Sequence, residues 1–206
     1  DLPKGFLLHL LSRELRRAQQ HFSGALINPM AFEPEEAILV NRAQQADTLV
    51  VAIKIAWELK LSGENEAWDF TCLSSCAEEA HAFEAMAQKD FRTLNNGEAM
   101  RAAYDKFFNS HGVKSHDKRL IHQMLLDDQG YIKSQSKRQK AGHEFFLRLG
   151  DMPSMRNYLA IPGKTPPTDP VYAKVEDRSN ANFLWFIKFE CSFQKKEAEM
   201  VEESVV

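Results

Sequence analysis

Glu35-Glu36-Ala37-Ile38-Leu39-Val40-Asn41-Arg42-Ala43-Gln44-Gln45-Ala46-Asp47-Thr48-Leu49-Val50-Val51-Ala52-Ile53-Lys54-Ile55-Ala56-Trp57-Glu58-Leu59-Lys60-Leu61 is the stretch on which the fold turns. Its second half, from Leu49, is apolar nearly all round. The β-branched Val and Ile make that half readable as a strand by local preference alone, but its length and continuity favour a buried helix. Pro34 suits the first helical position, Glu35 and Glu36 suit the positive end of the helix dipole, and Ser62-Gly63 stops it. A helix that is apolar on every side belongs at the centre of a bundle, so the other elements are expected to pack around it.

Working outward, the remaining segments also read as helices. Residues 5–20 form an amphipathic helix with Leu8, Leu11, Leu15, Ala18 and Phe22 as its apolar stripe. Ser74 or Ser75 caps a helix running to Phe91, with Cys76, Ala80, Phe83 and Ala87 inward. A shorter helix carries Met100, Ala103, Tyr104 and Phe107, and His111-Gly112 ends it. His116 to Leu126 is another, with Leu120, Ile121, Met124 and Leu125 inward, then Lys137 to Leu149. Residues 151–178 hold Pro153, Pro162, Pro166, Pro167, Pro170 and Gly163, which exclude a long helix and indicate a loop wrapped over the surface or serving function. A final aromatic helix spans 179–200. The expectation is one all-α domain over residues 1–206, with six to eight helices around a long central one.

Composition narrows the function. At 206 residues, with 44% hydrophobic and 27% charged residues, the chain is long enough for one proper core. A net charge of −3 gives no reason to expect nucleic acid as a partner. No segment reaches the roughly 20 apolar residues of a membrane span. Three cysteines, Cys72, Cys76 and Cys191, make no disulfide framework and are too few for a structural zinc site. Cys72 and Cys76, four apart, would share a helix face as small buried side chains. A reducing compartment, the cytoplasm, is the expectation; the chain starts at Asp1, so an upstream export signal stays open.

The first helix carries the sharpest functional signal. Helical spacing puts Glu14 between Leu7 and Ala18, inside the apolar arc, and His21 faces nearly the same way. On that reading Glu14 faces the core and requires a cationic partner. Arg13-Glu14-Leu15-Arg16-Arg17-Ala18 resembles the His-Glu-Leu-Arg-His-Ala string of a bacterial family of unknown function catalogued as metallopeptidases. The stretch from Asn28 to Asp47 is similar to the family's next segment, and a looser likeness runs on through Trp57-Glu58-Leu59 and Phe91-Arg92.

That resemblance implies two histidines, four apart, projecting onto zinc, with a glutamate polarising the bound water. It also implies a third ligand where this chain has Gln45. Both histidine positions are arginine here, Arg13 and Arg17, and only Glu14 remains. The expected function is therefore a non-catalytic, metallopeptidase-like domain with no cofactor and no metal, binding a peptide or protein. Glu14 would be a vestige of the catalytic machinery, held by Arg13, Arg17 or Arg42, with Arg13, Arg17, His21, Gln45 and Asp47 as binding residues. The old cleft would lie beside the 151–178 loop.

Two rivals stand beside it. One is a metal-dependent hydrolase with a site rebuilt from Glu14, His21, Asp47 and His81. The other is a helical interaction module with no ancestral site, which would show Glu14 solvated. Weaker signals read as structure. Glu78-x-x-His81 is a lone pair where di-iron bundles use two. His111, His116 and His122 share no helix face. The basic run Lys133, Lys137, Arg138 and Lys140 lacks interleaved aromatics and reads as a solvated linker. Phe183, Trp185, Phe186, Phe189 and Phe193 wrap wider than one face, so part of the last helix is expected to dock against another subunit, giving a homo-oligomer.

Overall fold

The computed structural model describes residues 2–127, 130–132, 138, 140–153 and 155–204; Asp1, Lys133 and Lys137 lie outside them. Among the described residues there are nine α-helices and no strand. They are α1 (Lys4–Phe22), α2 (Pro34–Leu61), α3 (Glu66–Leu73), α4 (Ala77–Lys89), α5 (Thr93–Asn96), α6 (Glu98–Phe107), α7 (His111–Leu126), α8 (His143–Leu149) and α9 (Arg178–Ser204). The count exceeds six to eight because α3 and α5 are too short to show a helical period. The helix expected from His116 begins at His111 and carries Gly112 within it, so His111-Gly112 opens α7 instead of closing α6.

α2 is the centre. Pro34 sits in its first turn with Glu35 and Glu36, and 18 of its residues are buried. α1, α3, α4, α6, α7 and α9 all pack against it. α1 runs antiparallel to it: Lys4 pairs with Glu64 beyond the far end of α2, at 2.6 Å, while Gln20 donates to the Gln44 carbonyl at 3.3 Å. Gly5 lets α1 approach α3, since a Cβ there would lie 2.1 Å from the Glu66 carbonyl oxygen. Trp57 and Trp68 meet edge to face at 4.9 Å, and the Lys60 ammonium lies over both rings while pairing with Glu84.

Of the inward residues expected for α4, α6 and α7, Ala80, Phe83, Ala87, Met100, Ala103, Tyr104, Phe107, Leu120, Ile121 and Met124 are buried, and Leu125 is half-buried against the core. α1 is a correction. Leu11, Leu15, Ala18 and Phe22 face solvent, and the buried stripe is Gly5, His9, Ser12, Arg16 and Gln20. Both stripes have helical spacing; the polar one turns inward because α2 presents Asp47 and Gln44 there, and a buried carboxylate requires donors. Cys72 and Cys76 are corrected too: Cys72 ends within α3, while Cys76 precedes α4 with its thiol 2.8 Å from the Ser74 hydroxyl.

Residues 151–178 wrap over the body and are held by three buried arginines, each holding an aspartate and the chain at 149–174 together. Arg16 binds Asp47 and the Leu149 carbonyl, at 2.6 Å. Arg42 binds Asp117 and the carbonyls of Tyr172 and Lys174, at 2.7 and 3.1 Å. Arg101 binds Asp105, the Thr165 carbonyl and the Tyr172 hydroxyl. Planar guanidinium groups with several donors suit this bridging, which a lysine could not reproduce. Gly97, at φ +87°, admits Tyr158 against the start of α6, where a Cβ would come within 2.9 Å of it.

Candidate functional site

Three residues of the Arg13–Ala18 segment share one edge of α1. Glu14 is exposed, not core-facing, and both of its carboxylate oxygens accept from Arg17 Nη1, at 3.0 and 3.2 Å. Of the three arginines considered as its partner, Arg17 fills the role; Arg42 is committed to Asp117. An i,i+3 pair this exposed contributes a few tenths of a kcal/mol at most. Arg13 is half-buried and makes no hydrogen bond or ion pair among the described residues. Burial, and then the neighbouring Arg17, lower its pKa. His116 of α7 is pushed down by burial, then by Arg119 and Arg13, which places α7 within electrostatic reach of this edge.

Asp47, expected as a binding residue or a rebuilt metal ligand, is instead enclosed in the core. It is fully buried on α2 and accepts four hydrogen bonds. Arg16 supplies two, from Nε at 2.7 Å and from Nη2 at 3.1 Å; Gln20 Nε2 supplies one at 2.7 Å and the Tyr158 hydroxyl one at 2.6 Å. Burial first, and then Asp47, push the Tyr158 hydroxyl well above the ordinary phenol range, so it stays protonated and donates. Tyr104 packs against Tyr158 with ring centres 5.8 Å apart. Every lone pair that a metal would need on Asp47 is already engaged.

The hydrolase rebuilt from Glu14, His21, Asp47 and His81 is not assembled. His21 is exposed and lies against Phe22, His81 is on the solvent side of α4, and Asp47 is enclosed by Arg16. Gln45 is half-buried on α2. Among the described residues, no three His, Cys, Asp or Glu side chains group to hold a metal ion. The residues at the motif positions do not fit zinc: Arg13 and Arg17 are permanent cations and Gln45 offers an amide.

The residues that sequence reasoning passed over are Arg16, Gln20 and Tyr158, with the pairs Arg42–Asp117 and Arg101–Asp105. A signal for two of them existed: His9, Ser12, Arg16 and Gln20 recur every three or four residues, a second stripe beside the leucines. A cleft of about 300 Å³ opens beside the 151–178 loop, lined by Arg16, Gln19, Ser23, Arg148, Asp151 and Met152. That size is at the lower bound for a small-ligand site. It borders the flank of α1 opposite Arg13 and Arg17, so the cleft and the motif positions are separate features.

Among the described residues, no helix is long and apolar enough to cross a membrane. A family model matches residues 1–160; its description reads "Putative metallopeptidase family (DUF6782)". No curated protein matches the chain, and neither does any solved structure.

Proposed function

The chain belongs to that family, and from this premise we propose that it is a member that binds a peptide or protein instead of cleaving one. The observation that carries the reading is the edge of α1. Both positions corresponding to ligand histidines hold guanidinium groups, and one of them is tied to the surviving glutamate at 3.0 Å. The two cations repel a metal, and without a metal-bound water Glu14 has no substrate for the base role. The cleft beside the 151–178 loop, whose lining includes Arg16, Arg148 and Met152, supports the binding half of the proposal.

The test pairs the native chain with an Arg13→His/Arg17→His/Gln45→Glu variant. Metal content by plasma mass spectrometry is expected to stay near zero for the native chain. The variant is expected to gain about one equivalent of zinc, the stoichiometry of a three-ligand site. Hydrolysis of an unstructured protein by the native chain, abolished by Glu14→Gln, would refute the proposal.

A further inference from the structure

α9 presents two opposite faces. Asn180, Leu184 and Ile187 are buried, and the half-buried Cys191 continues their line against α7 and the start of α2. The outer side carries Trp185, Phe186, Phe189 and Phe193, which are 44–65% exposed, and Met200 beyond them at 62%, while Phe183 lies on the flank against His122 of α7. Between residues 183 and 193 the charges are Lys188 and Glu190, and helical spacing sets both outside the arc from Trp185 through Phe189 and Phe193 to Phe186. Phe186, Phe189, Phe193, Lys196 and Met200 succeed one another at steps of three, four, three and four, the spacing of a seam that pairs with another helix. Trp185 and Phe189 are already stacked, with ring centres 5.6 Å apart and planes 16° apart.

We infer that this outer face of α9 is where two copies of the chain associate, aromatic stripe against aromatic stripe, about a twofold axis. The area is the right size. Four rings of about 150–250 Å² each, half exposed, give about 400 Å² per copy. Two copies with Met200 and the flanking stems reach about 1,000 Å², the area that separates a specific interface from a packing contact. A seam that is the same on both partners is what a twofold contact requires. α9 also lies wholly beyond residue 160, outside the part of the chain that the family model matches. The exposed leucines of α1 offer a rival surface, but the Glu14–Arg17 ion pair crosses it and would be desolvated by any apolar cover.

The experiment is analytical ultracentrifugation of the full chain over about 1–200 μM, the range that brackets micromolar affinity. The native chain is expected to pass from one to two times the monomer mass. Phe189→Glu/Phe193→Glu is expected to stay monomeric with unchanged helical circular dichroism, because both side chains are outside the core. Phe189→Ser/Phe193→Ser is the milder pair should the charges disturb folding. Leu11→Glu/Leu15→Glu on α1 is expected to dimerise like the native chain. A native chain monomeric throughout would overturn the inference. So would a dimer that survives both α9 pairs, one that is lost in the α1 pair, or a monomer that floats with phosphatidylcholine vesicles.

Discussion

Helices α1 and α2 lie antiparallel, and they bury opposite kinds of residue. α2 is enclosed on nearly every side, so its Val, Ile and Ala residues are inside, and the aspartate and arginine among them must be paired. α1 has one neighbour face to fill, and it fills it with His9, Ser12, Arg16 and Gln20 while Leu11 and Leu15 stay 55% and 60% exposed. Arg16 and Gln20 are thus the complement of the one carboxylate that α2 buries, while His9 meets Thr71 of α3 and Ser12 donates to the Leu8 carbonyl. A helix next to a buried charge is oriented by hydrogen bonding before it is oriented by hydropathy, because an unpaired buried carboxylate is destabilising by more than a partly exposed leucine.

If this is the rule that turns α1, Asp47 is the residue to remove. Asp47→Ala leaves the Arg16 guanidinium buried with no carboxylate, only the neutral oxygens of Gln19, Leu149 and Asp151, and takes from Tyr158 its acceptor and from Gln20 the nearer of its two. Loss of one member of such a pair is expected to cost about 3–5 kcal/mol by urea denaturation. A loss under about 1 kcal/mol would show that the network is incidental to the placing of α1.

The pH dependence of stability sharpens the same contrast at the other end of α1. Thr71 Oγ1 donates to the Ala67 carbonyl at 2.7 Å, so at 3.1 Å it accepts from His9 Nδ1–H. Burial, then Arg13, lower the His9 pKa to about 4. The unfolded chain, with an imidazole near 6.5, therefore takes up the proton first as pH falls. Stability is complete above about pH 6.5 and declines down to about pH 4, by about 2–3 kcal/mol from this group. His116, lowered in the same direction, adds to the decline. His9→Phe, which keeps a ring beside Phe70, is expected to flatten that part of the profile. A profile equally steep in the variant would assign the decline to other groups.

The legibility of this fold in its sequence depends on what each residue type announces. The apolar run from Leu49 declares a central helix by its length and continuity, and the stripes of α4, α6 and α7 declare their inner faces because in each only one stripe is apolar, even though Glu79, Arg101 and Asp117 are buried on the same helices. The prolines of 151–178 exclude a long helix but say nothing of the arginines that hold the loop, whose partners lie 64–135 residues away in sequence. The arginines at 13 and 17 are legible as replacements only through the family resemblance. Asp47, in an apolar stretch, is visible as a residue in need of partners. Which helix supplies them is not, since Arg16 and Gln20 read equally well as a solvated edge.

The smallest expected effect separates the two stripes of α1 most cleanly. Had the leucines been the inner face, Leu11→Ala and Leu15→Ala would each create a cavity and lose about 2–5 kcal/mol. With both side chains more than half exposed, each substitution is expected to shift stability by no more than about 0.5 kcal/mol, and the helix preference of alanine offsets part of the lost contact. Ser12→Leu is the converse change, placing an apolar side chain on the face that now carries His9 and Arg16. It removes a hydroxyl that donates to the Leu8 carbonyl at 2.8 Å and adds volume against α2 and α3, so it is expected to destabilise by about 1–3 kcal/mol. Chemical denaturation of the three variants reads the orientation of α1 directly. Losses at residues 11 and 15 that exceed the loss at 12 would turn the helix over and return Glu14 to the core.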